Sequence, residues 1–393
     1  IMLLYTDSFK KELLLRWSKI QRKLKELDVE ACLISTNVNS WYAVGQIIIG
    51  YVYLRQEGEP LVFVRRPSDI TGNNVYPIRK IEQIPDIFAD LQMELPQSIL
   101  LEGDEISYAE WMRYKAVFNT ERCINGTHAL RQVRSIKTDY EVAELRESAR
   151  LQSIAYKDIP LLYRPGMTDH EFTVEVERLF RLRGNLGLFR IFGSSMEAFM
   201  GSVLVGENAA ATSPYDFALG GKGMHSSLPF GHSGVLLEKG KSIMVDINGN
   251  FNGYIADQTR TFSIGELSEE AYYAHKVSLE IQQVLAEAGK PGTVCEELYQ
   301  RSLQIVKKHN LEDCYMGIEQ QAKFVGHGVG LVINELPVLC DRNKELLETN
   351  MTIALEPKFI IKGVGAVGTE NTYVVTDKGM EKLTFAPEDI IEL

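Results

Sequence analysis

Hydrophobic and polar positions alternate along this chain with two periods, and the periods change at well-marked points. The segment FKKELLLRWSKIQRKLKELD (9–28) carries apolar residues at Leu13, Leu14, Trp17, Ile20, Leu24 and Leu27, which is helical spacing. The short apolar runs ACLIST (31–36), PLVFVRR (60–66) and SILLEG (98–103), bounded by polar or turn residues, read as buried strands. Alternating helix and strand patterns over residues 1–134 predict an α/β domain with a mixed sheet.

A long amphipathic helix over SIKTDYEVAELRESARLQSIAYKD (135–158) opens a second region, 135–393. Two Pro-Gly turns follow, RPGMTDHE (164–171) and KPGTVCEE (290–297), each with a capping-box pattern, Thr168 with Glu171 and Thr293 with Glu296. A long helix precedes each turn, over 138–158 and 268–288, and strand-like segments follow. This weak internal repeat predicts a pseudo-two-fold α/β domain with its site between the halves.

Strands are predicted at SIMVDIN (242–248) and GYIADQTRTFSI (253–264), joined through Asn-Gly pairs, with Asp246 and Asp257 placed side by side. Two adjacent carboxylates on an apolar hairpin repel each other and are costly to bury, and a divalent cation removes both problems. Further donors lie in FVGHGVGLVINELP (324–337), where glycines flank His327, in MTIALEP (351–357), a strand ending at Glu356, and in VGTENTYVVT (367–376), where Glu370 opens a strand. Four acidic residues and one histidine, each beside a strand, suit divalent metals sharing carboxylates.

This order and spacing resembles the pita-bread metallohydrolases: aminopeptidase P, prolidase, methionine aminopeptidase and the metal-free creatinase. RQVRSIKTDYEVAELRESA (131–149) looks like the segment that opens their catalytic domain, and residues 1–134 like the creatinase-type N-terminal domain. The fold class implied is α/β (α+β), a creatinase-like N-terminal domain followed by a pita-bread metallohydrolase domain at 135–393. The resemblance implies two divalent ions (Mn, Co, Zn or Fe). Asp246 would chelate one, Asp257 and Glu370 would bridge both, and His327 and Glu356 would complete the second. It further implies a metal-bridged hydroxide as nucleophile, Glu356 as its proton acceptor, Thr259 and Thr261 as supports of the bridging groups, and a homodimer.

The chain departs from that pattern where substrate is handled. The histidine expected before Glu-x-Pro is Asn334, which can donate a hydrogen bond but cannot shuttle a proton at neutral pH. The expected Pro-His pair is Pro229-Phe230, with His225 and His232 nearby at the wrong spacing. Gly368 and Asn371 replace an arginine and an aspartate around Glu370. The segment 206–229 is longer than usual and carries Tyr215 and Phe217, which suggests a remodelled substrate loop.

Composition narrows the function classes. With 42 Lys+Arg against 53 Asp+Glu, the net charge of -11 argues against nucleic acid or an anionic membrane as partner. The basic cluster Arg16 to Lys25 reads as a solvated helix face. Five cysteines without a C-x-x-C fit a reducing cytoplasm rather than a disulfide framework. The start lacks the ordered regions of a signal peptide, and no stretch reaches the ~18 apolar residues that span a bilayer. The expected substrate is a short peptide or small molecule. Three readings stay open: an Xaa-Pro peptidase-like dinuclear hydrolase, a non-peptidase enzyme cleaving a C–N or other bond of a small metabolite, and a non-catalytic binding protein.

Overall fold

The computed structural model describes residues 6–193 and 196–393. Contacts divide the chain into two units, Ile1–Arg134 and Ser135–Leu393. No helix among the described residues is long and apolar enough to cross a membrane.

In the first unit the three expected apolar runs form half of a six-stranded sheet. Its order is Val75–Pro77, Leu61–Arg66, Ile49–Arg55, Ala31–Ile34, Ser98–Leu101, Arg122–Asn125. Ala31–Ile34 runs antiparallel to Ile49–Arg55 and parallel to Ser98–Leu101, so the sheet is mixed. Tyr53, Phe63, Phe88 and Phe118 pack ring against ring on it. The helix Asp7–Glu26 starts on the Thr6 side chain, which accepts from the Phe9 amide, and buries Leu13, Trp17, Ile20 and Leu24. Leu14 and Leu27 lie outside that stripe, 50% and 37% exposed. Arg16 is not part of a solvated face: it is buried, bonded to Glu12 at 2.5 Å one helical turn away, with its guanidinium over the Trp41 and Tyr42 rings.

The second unit repeats one plan twice. In the first half, helices Asp139–Asp158 and Asp169–Leu182 accompany a four-stranded sheet ordered Ile391–Glu392, Thr259–Ser263, Ser242–Ile247, Gly201–Val205. In the second, helices Glu269–Ala288 and Cys295–Lys308 accompany a five-stranded sheet ordered Glu335–Cys340, Phe324–Gly328, Thr352–Leu355, Asn371–Thr376, Gly379–Lys382. A separate hairpin pairs Lys358–Ile361 with Gly365–Gly368. The Thr168–Glu171 capping box forms. Its counterpart does not: the later helix begins at Cys295, after Val294, without a side-chain cap. There Thr293 turns back to the Ala288 carbonyl, and Glu296 holds the Arg342 amide and Lys344.

The aspartate hairpin differs from the expected register. Asp246 faces Thr259, and further on Ile255 faces Asn250. Carried through, that register sets Asp257 opposite Asn248. The two aspartates are therefore diagonal neighbours on one sheet face, a spacing still within reach of a shared ligand. The second arm breaks between Ile255–Ala256 and Thr259–Ser263, which leaves Asp257 free of the ladder.

On the helix Asp169–Leu182, burial pushes the Glu177 carboxyl up from 4.5 to about 7. The folded chain keeps a proton there that the unfolded chain has released. This contribution to stability is complete below about pH 4.5 and lost as pH rises to about 7. Glu177→Gln is expected to raise the melting temperature at pH ~8 and leave it nearly unchanged at pH ~4. An equal shift at both pH values contradicts this.

Candidate metal centre

Asp246, Asp257, His327, Glu356 and Glu370 converge although they come from four separated segments. Glu356 lies just past the strand Thr352–Leu355, with its amide on the Val325 carbonyl at 3.0 Å. Glu370 is pinned by paired backbone bonds with Thr259, at 3.2 and 3.3 Å. His327 sits mid-strand between glycines for a steric reason. A Cβ at Gly326 would meet the Ala354 carbonyl oxygen at 2.3 Å, and one at Gly328 the Leu336 carbonyl oxygen at 2.2 Å.

His327 Nε2 lies 3.2 Å from Glu356 Oε1 and 3.8 Å from Asp257 Oδ2. Its Nδ1 faces the Gly328 carbonyl at 3.0 Å, which directs Nε2 into the cage. Asp257, His327 and Glu370 each offer one ligand atom, and those atoms lie within 4.8 Å of one another. Glu370 Oε1 is buried and has no hydrogen-bond partner among the described residues. An unpaired buried carboxylate oxygen is costly, and a bound cation would satisfy it. A single divalent ion therefore fits the donor set Asp257, His327 and Glu370, with Glu356 alongside.

A second ion does not fit in the same way, because the cage already holds a cation that sequence reading missed. Lys358 is buried, and its Nζ donates to Asp246 Oδ2 at 2.9 Å, Glu356 Oε2 at 2.9 Å and Glu370 Oε2 at 3.3 Å. The signal was present in the sequence: a lysine between apolar residues in LEPKFII, two residues after Glu356. Such a residue on a buried strand needs partners of opposite sign.

The electrostatics follow this arrangement. Burial, then the neighbouring Asp246, pushes the Asp257 carboxyl up to about 7. Burial and Asp257 hold Glu370 well above the ordinary carboxylate range. Glu356 moves the other way: burial alone would raise it, but Lys358 and His327 together bring it down to about 2. Burial alone would lower His327, yet the bond to Glu356 and the charges of Glu356 and Asp257 carry it up to about 9.

Around the cage, Thr259 Oγ1 donates to Glu370 Oε2 at 2.6 Å. Thr261 Oγ1 reaches the Gly368 carbonyl at 2.9 Å, so it holds the strand that leads to Glu370 and not a carboxylate. Arg260 is buried and donates to the carbonyls of Thr259, Glu370 and Ala386 and to Asn371 Oδ1. Asn371 passes the network on to Gln282 and Glu388. Gly368, opposite Lys358 in the hairpin, has φ 135°, and a Cβ there would meet the Pro357 carbonyl oxygen at 2.5 Å.

The remaining candidates are engaged in contacts of their own. Asn334 exchanges two bonds with the Phe192 backbone, at 2.8 and 2.9 Å, and so clips a loop. Phe230 packs against Phe217 and Tyr215, with ring centroids 4.7 and 6.4 Å away. His225 bonds Ser227, and His232 bonds His170 at the start of the helix Asp169–Leu182. None of these contacts brings a second imidazole to the cage.

The model of the metallopeptidase family M24 matches residues 143–377, and that of the creatinase/prolidase N-terminal domain matches residues 16–136. The Xaa-Pro dipeptidase of Pyrococcus furiosus is 23% identical over 96% of this chain and 99% of its own length. The uncharacterized peptidase YqhT of Bacillus subtilis is 26% identical over 74% of each chain. The solved structure of the Xaa-Pro dipeptidase from Bacillus anthracis aligns with TM-score 0.79 and 22% identity, covering 97% of this chain and all of that one. The fold is thus the pita-bread fold behind a creatinase-type N-terminal domain. The chain belongs to metallopeptidase family M24, and with it to the hydrolases.

Thr259→Val removes the hydroxyl donor from Glu370 while keeping its shape. Titration with Mn²⁺ is expected to show affinity lowered ~10–100-fold, as for other groups that orient metal ligands. Unchanged affinity would separate Glu370 from the metal.

Proposed function

We propose that this chain hydrolyses the amide bond of a short peptide or a similar small substrate, using a divalent cation held by Asp257, His327 and Glu370 with Glu356 beside them. The observation that carries this reading is the convergence of those donors around a buried carboxylate oxygen without a hydrogen-bond partner among the described residues. The names of the relatives, Xaa-Pro dipeptidases among them, make Xaa-Pro dipeptides the first substrates to test. A cation in this cage would supply Lewis-acid polarisation and water activation.

The chain's own residues set how well that works. Glu356 is the proposed proton acceptor, and it is ionised, the form a base requires. Lys358, bonded to Glu356 Oε2, keeps it ionised and makes it a weaker base, which lowers the driving force for proton uptake. The two-ion, bridging-nucleophile version expected from sequence does not sit easily beside a lysine on three of the four carboxylates. Asn334 and Phe230 favour a second reading, a C–N hydrolase of a small metabolite other than an Xaa-Pro peptide. With Asn334 tied to Phe192 and Phe230 in an aromatic cluster, neither position moves a proton. A homodimer remains part of the proposal, carried by the family resemblance.

The test is hydrolysis of a panel of Xaa-Pro dipeptides and N-substituted small amides with Mn²⁺, Co²⁺ or Zn²⁺ restored after chelation. Turnover of at least one class is expected, lost on chelation and lowered ~10²-fold or more by Asp257→Asn. Chelator-resistant turnover, or none across the panel, contradicts the proposal. Activity confined to non-peptide amides selects the second reading.

A further inference from the structure

The geometry points to Lys358 as a built-in replacement for one metal ion, so that this chain binds one divalent cation where the resemblance implies two. This rests on the reading of the cage as a metal centre and goes further by fixing its stoichiometry.

Three observations support it. The first is position. Lys358 Nζ is bonded to one oxygen each of Asp246, Glu356 and Glu370. A transition-metal ion bound to those oxygens would need contacts of ~2.0–2.2 Å to carboxylate, so the ion and the ammonium exclude each other from that space. The second is valence. An ammonium has three N–H donors, and three carboxylates take all of them. Lys358 therefore has no proton free for substrate and acts as a fixed charge. The third is the division of labour among the acids. Asp246 bonds Lys358 and keeps 27% of its side chain exposed, while Asp257 faces His327 and lies among the donors that fit an ion.

Charge supports the same count. With all four carboxylates ionised and His327 neutral, the forms that bind metal, Asp246, Asp257, Glu356 and Glu370 against one ammonium leave three negative charges uncompensated. One divalent ion reduces this to one. A second would turn the cage net positive while losing its place to Nζ. Removing the lysine leaves four negative charges, which two divalent ions neutralise.

Lys358 is thus a positioning residue. It holds Asp246, Glu356 and Glu370 in place whether or not metal is bound, which a second exchangeable ion could not do. It cannot polarise a water as a metal does, so any chemistry at the cage depends on the single ion at Asp257, His327 and Glu370.

The test is metal content and Mn²⁺ electron paramagnetic resonance on the full chain, independent of any substrate. Wild type loaded with Mn²⁺ and desalted should hold about one equivalent and give an uncoupled mononuclear spectrum. Lys358→Ala should take up about two, with the spectrum of a coupled pair, and should melt lower than wild type without metal. Asp246→Asn in the otherwise natural chain should still hold about one, which keeps the test open if the lysine variant does not fold. Two equivalents in wild type, or loss of metal in Asp246→Asn, overturns the inference and leaves the hydrolase reading standing. No metal in wild type or either variant overturns both.

Discussion

Four carboxylates gathered at the end of apolar strands need a positive charge, and the rest of the catalytic unit depends on how that need is met. Here one positive charge is part of the chain. Lys358 sits in a buried three-way ion pair with Asp246, Glu356 and Glu370. Removing one partner of such a pair typically costs ~3–5 kcal/mol, because the other charge is left buried and uncompensated. The cage is therefore partly pre-assembled before any ion arrives. What the lysine does not cover is the side formed by Asp257, His327 and Glu370 Oε1, the buried carboxylate oxygen without a hydrogen-bond partner among the described residues.

Holding these groups in register falls to residues that touch no substrate. Arg260 binds three backbone carbonyls and the Asn371 side chain, fixing the break between the two sheets where Glu370 emerges. Thr259 meets Glu370 through both backbone and hydroxyl. Glycines at 326, 328 and 368 let strands approach to distances that a Cβ would block. Each is a packing solution, and together they place side chains from distant segments within a few ångströms. The same precision is what makes a fixed ammonium able to exclude a metal ion from its position.

Much of this could be read from sequence because the signals were periodic or sterically strict. The helix from Asp139 and the Thr168–Glu171 cap follow from local pattern. So do the strand carrying Asp246 and the one that ends beside Glu356, whereas the strand carrying His327 was not read from its glycine-rich segment. The register of the aspartate hairpin did not, since two Asn-Gly turns allow more than one closure and the strand break at Asp257 has no local marker. Thr293 showed the limit of a capping motif: a competing bond to Ala288 displaced it. Arg16 was misread as solvated because its partner Glu12 and the rings of Trp41 and Tyr42 are set by packing rather than by charge pattern. Lys358 was the costliest omission. A strand reading that asks which carboxylates are buried should also ask which cation on the same strand is buried with them.

The most direct measurement is a crystal structure of the Mn²⁺-loaded protein with anomalous difference density. One peak is expected, among Asp257, His327 and Glu370, with Lys358 Nζ in ordered density between Asp246, Glu356 and Glu370. Two peaks, with the lysine side chain displaced from the cage, would contradict it.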